Sequence, residues 1–281
     1  MKKIFIPLLT ALTVVFVGCD KIDNPIPSGF VSTEGLQWDD SSYAETNNSV
    51  RNFVLEEFTG QLCSNCPLAH KEIERLDSIY TTQFMAISYH QGAFANPNNG
   101  APNDFRTVEG DDYAIAFTVG NWPSGTLSRL NNGSAVSVSQ WDVDIQSIKN
   151  DAPKVKMGLS VLYNDSLRTA KAIITTEWLS TEAGNYQVQL QLVEDSITAY
   201  QLDGTTHVQN YIHRHLFRKS LNGTWGTTIP SSNLGDIDTQ EFAIALDPTW
   251  NKDQCFVVAY VYKAAPNYEV LQAEELHLIT H

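Results

Sequence analysis

The 281-residue chain carries a formal net charge of −14, from 32 acidic and 18 basic side chains, with 42% hydrophobic and 10% aromatic residues. That apolar content excludes a disordered chain and supplies cores for one large domain or two ordinary ones. The negative charge excludes nucleic acid as a main partner, and the dispersed acidic residues describe a solvated exterior rather than an acidic recognition face.

Residues 1–18, "MKKIFIPLLTALTVVFVG", join Lys2 and Lys3 to an apolar run too short for a comfortable membrane span, the pattern of a cleaved export signal. Cys19 follows directly after "FVG", an arrangement that resembles a bacterial lipobox, in which the cysteine is lipidated and becomes the new N-terminus. Residues 19–49 are polar and contain Pro25, Pro27, Gly29 and Gly35, which predicts a tether between lipid and fold. No other apolar run is long enough to cross a membrane. The expectation is a body held to a membrane surface by its N-terminus.

From residue 50 the pattern alternates. "NFVLEEF" reads as a strand, residues 64–80 place Ala69, Ile73, Leu76 and Tyr80 at helical spacing, and "FMAISYH" reads as a second strand. A loop rich in Asn, Gly and Pro precedes a helix near 104–118, then "GNWPSGTLSRL" and a helix in "SVSQWDVDIQSIKN". Strand and helix alternation over 50–152 predicts an α/β layer structure. After "DAPK" the chain becomes a series of β-branched and aromatic runs split by turn signals such as "EAGN" and "NGTWG", seven or so strands that predict a β-sandwich over 153–281. The boundary falls near Ala152 and Pro153.

With Cys19 assigned to lipid, Cys63, Cys66 and Cys255 remain, too few for a disulfide scaffold in a chain of this size. Cys255 lies in "CFVVAYVY" and reads as a buried, inert thiol. "LCSNCP" is therefore a local device. The strand, turn, CxxC, helix order places Cys63 at a helix N-terminus, where free N–H groups and the dipole stabilise a thiolate, and places Cys66 to resolve a mixed disulfide. Pro67 suits the first helical turn. A zinc site drawing on His70 or His90 lacks a second CxxC, and a haem attachment lacks the histidine that Pro67 replaces. A structural disulfide remains open beside the redox pair.

"VLEEFTGQLCSNCP" resembles the thioredoxin superfamily. The resemblance implies that Glu57, six residues before Cys63, serves Cys66 as proton acceptor. It also implies that Pro123, in "NWPSGTL", is a cis-proline shaping a substrate groove. Leu62 stands where the family has tryptophan, and Ser64-Asn65 replaces Gly-Pro, a change that leaves the redox direction open.

In "YIHRHLFRK", alternation places His213 and His215 on one strand face with Tyr211 and Phe217, and Arg214 and Arg218 on the other, with no third ligand to complete a metal site. Together with "EEFTG" and the two cysteines, "H.H" followed by "NG.WG" is similar to the outer membrane protein 28 family of lipoproteins. That likeness implies a thioredoxin-like N-terminal domain and an immunoglobulin-like C-terminal domain at the outer membrane. The triplets at Ser78, Ser166 and Ser196 resemble acceptors for protein O-glycosylation.

Two functions follow. One is an envelope thiol-disulfide oxidoreductase needing no cofactor or metal, with Cys63, Cys66, Glu57 and Pro123 as its site and envelope protein thiols or disulfides as partners. The other is a surface lipoprotein, an adhesin or binding component, whose cysteines are a staple and whose sandwich meets a protein partner. Either is anchored through Cys19 to the outer membrane, at its periplasmic face or on the cell surface.

Overall fold

The structure, a computed structural model, describes residues 31–279. The expected signal segment and Cys19 lie outside the described residues. Strand β1 (Asp40–Glu45) comes first, inside the stretch expected to be tether. It pairs antiparallel with a later strand from Asp40↔Tyr163 to Glu45↔Gly158, so the end of the tether is part of a sheet.

An α/β region follows: β2 (Phe53–Thr59), α1 (Cys66–Tyr80), β3 (Phe84–His90), α2 (Val108–Ala116), β4 (Ser124–Leu127) and α3 (Val138–Ile148). Strands β2 and β3 are parallel, and β4 runs antiparallel to β2. Helices α1 and α3 cover one face, where Ala69, Ile73, Leu76, Trp141 and Ile145 pack on Phe53, Leu55, Phe84 and Ala86. Helix α2 covers the other, where Tyr113 and Phe117 meet Val54, Phe58 and Ile87. With both faces covered, β2 and β3 are buried throughout, which is why they read as near-continuous apolar runs.

The remaining chain is almost entirely β: β5 (Val155–Asn164), β6 (Thr169–Trp178), β7 (Tyr186–Glu194), β8 (Ile197–Asp203), β9 (Thr206–His213), β10 (Leu216–Ser220), β11 (Thr227–Ile229), β12 (Ile237–Ala245), β13 (Cys255–Lys263) and β14 (Val270–His277). One sheet has the order β1-β5-β6-β12. Its inward residues, among them Met157, Leu159, Val161, Ala172 and Ile174, pack across a core on Val188, Leu190, Leu192, Val257 and Val261 of β7 and β13. Two facing sheets of antiparallel strands thus enclose the core of the all-β region.

The second of these sheets does not end where the all-β region ends. Its order is β14-β13-β7-β10-β3-β2-β4, with β11 also paired to β7. The junction is Leu216 of β10 parallel to Ser88 of β3, reinforced by the Ser88 N–H donating to the His215 carbonyl at 2.7 Å. Beside it, Arg129 and Glu56 form a wholly buried bidentate pair at 2.6 and 2.8 Å, and Arg129 Nη2 also donates to the Tyr260 hydroxyl of β13 at 2.6 Å. The guanidinium lies 4.8–5.4 Å from the ring centres of Tyr113, Phe117, Tyr260 and Tyr262, so a desolvated cation is held by a carboxylate and four aromatic faces. The two regions are joined by a sheet and a buried ion pair, and residues 31–279 fall in one compact unit. Among the described residues no helix is long and apolar enough to cross a membrane.

Strands β9 and β10 correct the expected single strand through "YIHRHLFRK". His215 takes a left-handed φ of 54° between them, which breaks the alternation. His213 is buried at the end of β9 beside His90, with ring centres 5.2 Å apart, whereas His215 sits in the connection near Asp195. The two do not share a face.

Candidate functional site

The site begins with the chain leaving β2. Gly60 turns it where a side chain could not fit, since a Cβ there would lie 2.5 Å from the backbone of Phe94. The turn closes with Cys63 N–H donating to Gly60 O at 3.0 Å and Cys66 N–H to Cys63 O at 3.2 Å. Helix α1 starts at Cys66, with Asn65 as N-cap and Pro67 in the first turn, where its missing N–H would have no intrahelical acceptor. The helix thus starts two residues later than the expected residue 64, and Cys63 lies in the turn before it.

Cys63 and Cys66 form a disulfide with Cα atoms 5.4 Å apart. Both are enclosed: 2% of the Cys63 surface is exposed and none of Cys66. The Trp122–Pro123 peptide, immediately before β4, is cis. Phe94 connects this loop to the cysteine turn, accepting at its carbonyl from Leu62 N–H at 2.9 Å and placing its partly exposed ring 5.6 Å from that of Trp122.

Glu57, on β2 between Ser88 of β3 and Gly125 of β4, is completely buried. Ser88 Oγ donates to its Oε2 at 2.6 Å, but Oε1 meets no hydrogen-bond geometry, and the imidazole nitrogen His70 Nε2 stands 3.4 Å from it. Burial pushes the Glu57 carboxyl up to about 7, with the Ser88 hydrogen bond opposing. Burial also pushes His70 down to about 4, so the imidazole is neutral at pH 7. A carboxyl that titrates near neutrality can take and return a proton at the pH where thiols react.

The all-β region supplies the roof. Hairpin β8–β9 docks its backbone on the cysteine turn, Leu202 N–H donating to Gln61 O and Gly204 N–H to Ser64 O, both at 2.8 Å. The buried Gln201 amide donates to the carbonyl of Cys63 at 3.1 Å and lies 3.3 Å from that of Gly60. Tyr211 of β9 reaches His70 Nδ1 at 2.7 Å. Sequence reasoning weighed His70 only as a zinc ligand and Tyr211 only as a strand-face neighbour, and it passed over Gln201 and Ser88. His70 had a usable signal, since it stands four residues after Cys66 on one face of α1. The hairpin had none, because "ITAYQLDGTTHVQ" carries no mark of what it covers.

Cys255 is buried in β13, and its thiol is pushed well above the usual range by burial, then by Glu194. Ser166 and Ser196 are exposed, and Ser78 lies within α1. Among the described residues no group of three or more His, Cys, Asp and Glu side chains is placed to hold a metal ion.

Comparison with known proteins agrees with this architecture. The family described as Outer membrane protein Omp28 matches residues 110–278. HBP35 of Porphyromonas gingivalis superposes with a TM-score of 0.64 at 16% identity, over 83% of this chain and 77% of that one. A protein of Agrobacterium tumefaciens gives 0.47 at 13% identity, over 82% and 95% of the two chains. A domain of the outer membrane lipoprotein Omp28 from Porphyromonas gingivalis gives 0.33 at 17%, over 45% and 89%. No curated protein matches. The likeness to HBP35 is a likeness of fold.

Proposed function

The chain belongs to the Outer membrane protein Omp28 family, and we propose that it is an outer-membrane-anchored thiol-disulfide oxidoreductase acting on envelope proteins. The observation that carries the reading is Glu57: a fully buried carboxyl held only by neutral hydroxyls and raised by burial to about 7, on the strand that leads into the CxxC turn. Such a group costs stability, and a carboxyl perturbed in this way beside a cysteine pair marks a functional site.

In the oxidising direction a client thiolate attacks Cys63 Sγ. A client–Cys63 bond forms, and the Cys63–Cys66 bond breaks with its electron pair on Cys66, which takes the proton held by Glu57. A second client thiolate then attacks the client sulfur of the mixed disulfide and releases Cys63 as thiolate. The client dithiol is oxidised to a disulfide and the protein pair is reduced; the reverse sequence reduces a client disulfide. Pro123 and Trp122 shape the groove that holds the client chain, and a second envelope thiol or disulfide resets the pair. Insulin reduction and refolding of a reduced disulfide protein test this. Activity that Cys63→Ser abolishes is expected, whereas equal rates for wild type and variant contradict the proposal.

A second reading has an observation of its own. The near-complete enclosure of Cys63 under a hairpin suits a staple, with the immunoglobulin-like sandwich then meeting a protein partner as an adhesin or binding component. Under that reading, Cys63→Ser with Cys66→Ser lowers stability and leaves partner binding intact.

Family membership supports an outer-membrane location. The anchor we assign is lipid on Cys19, at the periplasmic face or the cell surface. Cys19→Ala should release the protein from the membrane fraction; retention there would rule this anchor out.

A further inference from the structure

Glu57, Thr59, His70 and Tyr211 form a line from the buried carboxyl to the hairpin. Thr59 Oγ1 lies 3.1 Å from His70 Nε2, Glu57 Oε1 lies 3.4 Å from the same nitrogen, and the Tyr211 hydroxyl lies 2.7 Å from His70 Nδ1. Three of these residues are in the α/β region, and the fourth crosses from the all-β region on β9. We propose that Tyr211 is a positioning residue of the redox site: it donates to His70 Nδ1 and so turns the Nε2–H of a neutral imidazole towards Thr59 and Glu57.

The proposal rests on the oxidoreductase reading for its purpose, and on geometry for its content. A neutral imidazole has one N–H and one lone pair, and the partner of one nitrogen fixes the other. His70 Nδ1 is the one hydrogen-bond partner of the Tyr211 hydroxyl among the described residues, and burial keeps that hydroxyl protonated. When it donates, Nε2–H is directed at Thr59 Oγ1, and the Thr59 hydroxyl proton is free to turn to the Glu57 carboxylate. Each link then has one donor and one acceptor. The opposite polarity would set the Nε2 lone pair 3.4 Å from an ionised Glu57 Oε1 with no proton between them. Tyr211 thus favours the ionised carboxyl, in opposition to burial.

The other groups facing this line are Ser88 of β3, His215 of the β9–β10 connection, Glu74 of α1 and Asp203 of β8. His215 favours the charged form of Glu57, and it opposes protonation of His70 while Glu74 and Asp203 favour it. His213 of β9 packs 6.4 Å from the His70 ring, and burial and then His70 oppose the charge of His213. A cleft lined by His70, Ser88, Tyr211, Arg214 and His215 opens beside the line, so its outer end faces solvent.

The test uses the intact oxidised protein with ¹⁵N-labelled histidine and ¹³C-labelled glutamate, read by NMR. In the wild type at pH 8, His70 should carry its proton on Nε2, and Glu57 should titrate near 7. Tyr211→Phe keeps the ring and removes the hydroxyl. It should shift His70 towards Nδ1–H and move the Glu57 midpoint upward. A wild-type His70 protonated on Nδ1 overturns the proposal even if the variant does not fold, as does a folded variant that changes neither signal. Neither readout needs turnover: equal insulin reduction by wild type and Cys63→Ser would end the oxidoreductase reading and leave the His70 tautomer to be judged on its own spectrum.

Discussion

Glu57 and Glu56 are adjacent on a fully buried strand, yet their environments differ. Glu56 pairs with Arg129 inside its aromatic cage, and each of its oxygens is bonded. Arg129→Met should leave a buried carboxylate unpaired and lower the unfolding free energy in urea by about 3–5 kcal/mol. Glu57 has its carboxyl raised by burial from 4.5 to about 7. The folded state therefore holds a proton that the unfolded state releases, and this contribution is present below pH 4.5 and is lost as pH rises through about 7. Replacing it by Gln removes that loss. The stability of Glu57→Gln over wild type should grow between pH 4.5 and 7 and level off above, reaching about 3 kcal/mol from the size of the displacement. His70 and His213, depressed to about 4 by burial, have the opposite slope in both proteins and cancel in the difference. Urea titrations of both proteins across this range provide the check. Glu57 was singled out in the sequence by the thioredoxin resemblance, which marks the position six residues before Cys63. Arg129 was not, because nothing local distinguishes a cation destined for a distant aromatic cage from one on the surface.

Hairpin β8–β9 is the element docked on the turn that carries the disulfide. Its Leu202, Gly204 and Gln201 donors satisfy backbone carbonyls of the cysteine turn that would otherwise face solvent or a client. Gln201→Ala should therefore loosen the roof, with faster alkylation of reduced Cys63 by iodoacetamide and a stability loss of about 1–2 kcal/mol from the vacated carbonyls. Unchanged alkylation would show that the hairpin does not gate the pair. Helices α1, α2 and α3 were each readable within a few residues from apolar spacing and flanking loops. The hairpin was not: β9 is mostly exposed and its pattern is weak, and the turn at Gly204 looks the same whether it ends in water or on another loop. The strand expected through His213 and His215 failed because the left-handed residue that breaks it is a histidine, a residue type that signals no turn.

At the scale of the molecule, burial along the strands shows how the regions join. Strand β5 alternates buried and half-buried residues, as a sandwich strand with one wet face should, while β13 is buried at every position but its last. The second face of β7 and β13 carries Val193, Val258 and Tyr260 into the cluster with Tyr113 of α2 and Phe117 just after it. The unbroken run "CFVVAYVY" signalled two covered faces, but sequence alone could not say that the second cover is a helix of the other region. The division near Ala152 and Pro153 is a change of character along the chain within one continuous sheet. Residues 31–279 should accordingly unfold in one calorimetric transition, and a fragment ending at residue 152 should not fold; two separated transitions would show that the shared sheet does not couple the regions. The central claim, that Cys63 and Cys66 turn over, is tested most directly by their reduction potential in the intact protein, equilibrated in glutathione buffers and quantified by mass spectrometry after alkylation. The account predicts a potential of roughly −120 to −270 mV, the range of exchange catalysts. A value below about −300 mV would mark a structural disulfide and contradict it.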